Sequence, residues 1–129
     1  KHSGLKILTS TNEAYEKAFN IKEGYSQFSI IVKKDFAKDN KEYVNEFLSK
    51  VKSSIDFVNK NPLQAGAYGE ELSIPIKPQV LSTAIKRCNL KFIIVDEFKN
   101  NYKELFNILY NYNKEAVGGT VIDESIYYK

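Results

Sequence analysis

Phe28-Ser29-Ile30-Ile31-Val32 is the stretch on which the fold turns. It is nearly continuous in apolar residues and ends in a β-branched trio. A run that is apolar on both alternating faces marks a strand buried on both sides, as in an α/β sheet, rather than a surface hairpin. Leu5 to Thr9 (LKILT) reads as a second short strand, and Lys91 to Val95 (KFIIV) as a strand or extended loop. The expected fold class is therefore α/β and helix-rich, with few strands and four or more helices. Strands so few and so far apart leave sheet edges open. Either helices cover those edges, or the rest of the sheet lies outside this chain.

Helical periodicity fills the intervals. Ala14, Tyr15, Ala18 and Phe19 fall at helical spacing after Thr11, with Glu13 near the positive end of that helix and Gly24 beyond it. From about Asn40 to Asn59, Val44, Phe47, Leu48, Val51, Ile55 and Val58 form one stripe at steps of three and four. Asp39 or Asn40 can cap its start. Asn61-Pro62 reads as a cap followed by proline at the first helical position. Ile74-Pro75-Ile76-Lys77-Pro78 reads as an extended connector, and Pro78 opens a helix whose buried face is Val80, Leu81, Ala84, Ile85 and Cys88. Asp96 is the expected cap of a last long helix reaching about Tyr112, with Phe98, Tyr102, Leu105, Phe106 and Leu109 as its stripe. Gly118-Gly119 is a turn, and an irregular tail follows.

Composition narrows the function more by exclusion than by assertion. The 129 residues are 43% hydrophobic and 27% charged, enough for a core without metals or disulfides. The formal net charge of +3 admits an acidic partner, but no basic block occurs and Arg87 is the sole arginine, so nucleic acid is not an expected partner. His2 is the sole histidine, which removes Ser-His and Cys-His nucleophile pairs and most zinc sites. Cys88 is the sole cysteine and reads as a small buried hydrophobe. The carboxylate pairs Glu70/Glu71, Asp96/Glu97 and Asp123/Glu124 are adjacent residues, and adjacent helical side chains diverge rather than converge on a proton. No phosphate-cradling glycine motif occurs. The expectation is a non-enzyme with no catalytic residue, no metal and no cofactor. Lys1-His2-Ser3-Gly4 reads as a tag or processing remnant, and residues 5–129 as one segment.

Several pieces, taken in order, resemble one family. Gly24-Tyr25-Ser26-Gln27, the strand-like run and Lys34-Asp35-Phe36 are similar to a "YPQ, hydrophobic strand, K-x-F" segment of ABC-importer substrate-binding proteins of the nitrate, sulfonate and thiamine-precursor type. The stripe from Val44 to Val58 with Asn61-Pro62 resembles their long helix. Pro78 to Asn89 with Phe92 resembles their "A-x-x-A-I-x-R-x-N-x-x-F" segment. Tyr102 to Tyr110, Ala116-Val117-Gly118-Gly119, Ile122-Asp123-Glu124 and Ile126-Tyr127-Tyr128 resemble their closing pattern. The chain departs from it at Ser26 and Ile122, where that family commonly has proline.

The resemblance implies the C-terminal portion of a type II periplasmic-binding-protein-like fold, in which two α/β lobes close on a small solute about a hinge. It implies an ABC permease as partner, a missing N-terminal lobe of the same protein, and a place in the periplasm or lipid-anchored on the extracellular face of the membrane. Tyr25, Ser26 and Gln27 are the expected ligand-binding residues, at the cleft edge. Such a piece should expose apolar surface, or bury it by dimerising or swapping elements. The alternative is a small helical protein–protein interaction module with a closed core and one apolar groove. An enzyme on the same fold is a weaker third reading, because fold alone does not exclude it.

Overall fold

A serine cap starts the first helix and prolines start two others, whereas three helices start with neither. The computed structural model describes Gly4 and residues 6–128. Its elements are α1 (Thr11–Phe19), α2 (Lys34–Asp39), α3 (Lys41–Lys60), α4 (Pro62–Glu71), α5 (Pro78–Ile85) and α6 (Val95–Tyr112), followed by 3-10 turns at Lys114–Val117 and Glu124–Ile126. The chain divides into two units. One joins the residues up to Ile31 to those from Ile94 onward; the other is Val32–Ile93.

No strand occurs among the described residues. This corrects the α/β expectation: the chain is helical and is not a periplasmic-binding-protein-like α/β fold. Phe28 to Val32 is irregular, Lys6 to Thr9 is irregular, and Leu90 to Ile94 runs without regular structure into α6 at Val95. Leu5 and residues 1–3, including His2, lie outside the described residues, so the remnant reading of the first four residues falls almost wholly there. The physical reason for the correction is cooperative. β-Branched apolar residues favour a pleated surface only when a neighbouring backbone supplies the ladder, and no described part of the chain supplies one.

In the unit from Val32 to Ile93, the α3 stripe is where periodicity places it. Val44 is buried, and Leu48, Val51, Ile55 and Val58 are half-buried, but Phe47 is exposed. Preceding α3 is α2, a short helix not expected from the sequence. Asn40 stands between them without capping α3; its amide Nδ2 instead donates to the Phe36 carbonyl at 3.0 Å. Asn61 behaves likewise, donating to the Phe57 carbonyl at 3.1 Å and leaving α4 to be started by Pro62. Both asparagines close the helix behind them rather than open the one ahead.

The tightest packing of this unit lies between α4 and α5, where buried Gly66 and Gly69 let the two backbones approach. The chain turns between them through Leu72 to Ile74, with Ser73 in the left-handed region at φ +60° and the Ile74 N–H donating to the Gly69 carbonyl at 2.9 Å. Phe57 and Tyr68 stack at 5.9 Å between ring centroids, tying α3 to α4. The Asn59 amide donates to the Leu90 carbonyl at 2.8 Å and fixes the stretch that follows α5. Helix α5 ends at Ile85, so Cys88 falls in a turn and is exposed, which corrects its expected burial. Val80 is exposed too; Ser82 is the buried polar residue, its hydroxyl donating to the Gln79 carbonyl.

In the other unit, α1 starts in a capping box. The Glu13 N–H donates to Ser10 Oγ at 3.1 Å, and the Ser10 N–H donates to the Glu13 carboxylate at 3.2 Å. The helix closes on Asn20 at φ +53°. Helix α6 is preceded by Ile94 rather than capped by Asp96, which sits inside the first turn at 3.9 Å from the Lys99 ammonium. Its far end is completed by the 3-10 turn Lys114–Val117, where the Asn113 side chain accepts from two backbone N–H groups. The two parts of this unit are joined by the Asn101 amide, which donates to the Lys22 carbonyl at 2.7 Å; within the later part, Tyr102 and Tyr127 pair edge-on.

Candidate functional site

Tyr25, Ser26 and Gln27 follow the buried Gly24, whose φ of +67° turns the chain after α1. Tyr25 is half-buried, its ring 5.0 Å from that of Tyr15, which in turn packs on Phe19 at 5.0 Å. Ser26 is half-buried, and its hydroxyl donates to the Phe28 carbonyl at 2.7 Å, a local turn bond. Gln27 is exposed. The three share a short stretch of chain, and each has a different environment. Tyr25 is spent on an aromatic cluster, Ser26 on its own backbone, and Gln27 on solvent.

A recess of 390 Å³ lies close by, lined by Glu13, Glu16, Lys17, Asn20, Lys22 and Glu23 with Ile21. Nothing in the sequence singles these residues out, because charges on an exposed helix face read as solvation. Their chemistry is largely local. The Glu13 carboxylate takes bonds from Ser10 N and Thr9 Oγ1, which hold its pKa below the ordinary carboxylate value. Glu16 accepts from the Asn12 amide at 3.0 Å. Three acids and two lysines share the lining, so neither sign of charge dominates it. Among the described residues, no cluster of His, Cys, Asp or Glu could hold a metal ion.

Beneath the aromatic cluster, the Tyr15 hydroxyl is shielded from solvent and has no hydrogen-bond partner. Loss of solvation raises its pKa, and the Glu104 carboxylate adds to the rise. Tyr127 is raised too, first by burial and then by Tyr102 and Glu124. A phenol kept neutral in this way can pack or donate a hydrogen bond; it is a poor base.

Large apolar side chains are among the exposed residues. Among the described residues, Ala37, Val44 and Ile85 are the buried hydrophobic ones, whereas Leu8, Phe28, Ile31, Leu63, Leu72 and Tyr112 are each at least three-quarters exposed. No helix among the described residues is long and apolar enough to cross a membrane. Compared with protein-family models, curated proteins and solved structures, the chain matches none of them.

Proposed function

We propose that this chain is the partner-dependent part of a solute-binding component that feeds an ABC importer, working on the outer side of the membrane. One observation carries the dependence on a partner. The chain exposes 10984 Å². Two separate globules of about 7.4 kDa each would together expose about 8,400 Å² by the usual scaling of surface with mass. The surplus of about 2,600 Å², from one chain, exceeds the roughly 800 Å² that each partner gives to a standard interface, and large apolar side chains are among the exposed residues.

The importer role draws on the ordered motifs from Gly24 to Tyr128, which survive as sequence although the α/β fold does not come with them. Tyr25, Ser26 and Gln27 are the residues proposed to meet solute, once a second polypeptide completes the cleft they do not form alone. Capture then follows closure of the assembled protein on its ligand, a shift of population toward the closed state. The helical architecture favours a second reading, a helical module that binds another protein and no small molecule. The core is more open than that reading expects.

Two measurements separate these readings. Calorimetry of the isolated chain against small anions, amines and amino acids should give no binding tighter than millimolar. A micromolar dissociation constant overturns partner dependence. Disruption of the gene in its native cell should abolish uptake of one such solute at limiting external concentration. Unchanged uptake across the whole panel overturns the importer role and leaves the helical module.

A further inference from the structure

The stretch Phe28 to Val32 combines three properties that seldom coincide. It is exposed, with Phe28 at 86%, Ile30 at 53% and Ile31 at 91% of their full accessibility. It contains no charge and no proline. Among the described residues, the backbone groups of Ser29 to Val32 make no backbone hydrogen bond. An unpaired apolar run of this kind is a template for another strand.

We infer that Phe28–Val32 pairs with the same segment of a second copy of this chain, forming an antiparallel two-stranded contact with its two-fold axis at Ile30. The sequence around the segment selects this occupant and this direction. With Ile30 opposite the second copy's Ile30, Phe28 meets Val32, Ser29 meets Ile31, and Gln27 meets Lys33. Aromatic against β-branched is among the favourable cross-strand pairs, and no like charges meet. In-register parallel pairing would set Lys33 against Lys33, followed by Lys34, which is repulsive. The same two lysines flank the run on one side only and discourage a third strand from stacking on. Five residues from each chain bury less than the roughly 800 Å² per partner of a standard association, so the pair is a weak, concentration-dependent dimer. The pair stands independently of solute binding.

The test uses disulfide trapping in a Cys88→Ser background, since Cys88 is exposed. Residues facing one another across an antiparallel pair have Cα atoms about 4.5–5.5 Å apart, within disulfide reach. Ile30→Cys, on the axis, should cross-link to a covalent dimer under mild oxidation at least about tenfold faster than Ile31→Cys, because pairing raises its effective concentration toward millimolar. It should do so although Ile31 is the more exposed residue. Sedimentation of the unmodified chain should show a concentration-dependent dimer with an antiparallel-sheet infrared band. Ile30→Lys, which sets two ammonium groups face to face, should return it to monomer with unchanged helical circular dichroism. Equal cross-linking at the two positions, a strictly monomeric parent, or an Ile30→Lys chain that still dimerises would each overturn the inference. None of these outcomes bears on solute uptake, so this pairing and the importer role fail separately.

Discussion

Gly66 leaves no room for a side chain beneath Pro78: a β-carbon built on it would stand 2.5 Å from the Pro78 carbonyl oxygen. That oxygen belongs to the backbone of α5 and cannot swing aside. At Gly69 a β-carbon would instead meet the Cδ2 methyl of Leu81, the end of a side chain that can change rotamer. Alanine gains about 1 kcal/mol in helix propensity over glycine at either site. Overpacking costs about 1–3 kcal/mol where the neighbour must move as backbone. Gly66→Ala should therefore lower the stability of its unit, and Gly69→Ala should lie near neutral. Urea unfolding followed by circular dichroism ranks the two, and a larger loss for Gly69→Ala would contradict the packing described.

The capping box at Ser10 and Glu13 makes α1 sensitive to acid. Hydrogen bonds from Ser10 N and Thr9 Oγ1 depress the Glu13 pKa in the folded chain. A carboxylate depressed on folding contributes stability above its unfolded pKa and loses it as pH falls through the lower folded value. The helicity of α1 should decline through that acid window, and Glu13→Gln should flatten the decline. Ser10→Ala should cost about 1 kcal/mol at neutral pH. Carbon chemical shifts along Thr11–Phe19, followed against pH, read both effects.

Tyr15→Phe should be neutral or stabilising by up to about 1 kcal/mol, since the hydroxyl it deletes is desolvated and unpartnered. The ring contacts to Phe19 and Tyr25 stay. Because the Tyr15 and Tyr127 pKa values are raised on folding, their contribution is present below the ordinary phenol pKa and is lost as pH rises through the folded values. Alkaline spectrophotometric titration should show a late-ionising fraction that shrinks in Tyr15→Phe and again in Tyr127→Phe.

Gly24→Ala should destabilise the unit containing α1 and α6 by roughly 1–2 kcal/mol. Its φ of +67° costs about that much for a residue with a β-carbon. The added carbon would also strike the Asn12 amide, which now donates to Glu16. Nuclear magnetic resonance shifts at Asn12 and Glu16 should move with the loss of stability; unmoved shifts would place the strain in the turn alone.

The helices were legible in the sequence because their signals are local. The stripe of α3, the prolines that open α4 and α5, and the extent of α6 all rest on residues within a few turns of one another. Short α2 escaped because Lys34–Asp39 offers only Phe36 and Ala37 as an apolar face, and Asp39-Asn40 reads equally well as a cap for α3. Cys88 was misplaced by extending a helical stripe three residues past Ile85, where the chain has already left the helix. The strand reading of Phe28 to Val32 failed for a different reason. A helix finds its hydrogen-bond partners four residues away, whereas a strand must find them in another segment, and five residues of sequence hold no information about which. The sequence places Tyr25, Ser26 and Gln27 just before the apolar run, but nothing local shows that the Tyr25 ring is committed to Tyr15.

The Asn101–Lys22 hydrogen bond spans 79 residues of chain, with all of Val32–Ile93 emerging between its two ends. On a ribosome adding about 5–20 residues per second, α1 leaves the exit tunnel seconds before α6 exists to receive it. The middle unit, contiguous in sequence, can fold as it emerges. The unit that draws on both α1 and α6 must wait until α6 has emerged, with Tyr15 and Phe19 open to chaperones until then. Its assembly therefore follows that of the middle unit, and it is the one that a slow codon or a premature stop near α6 would disturb first.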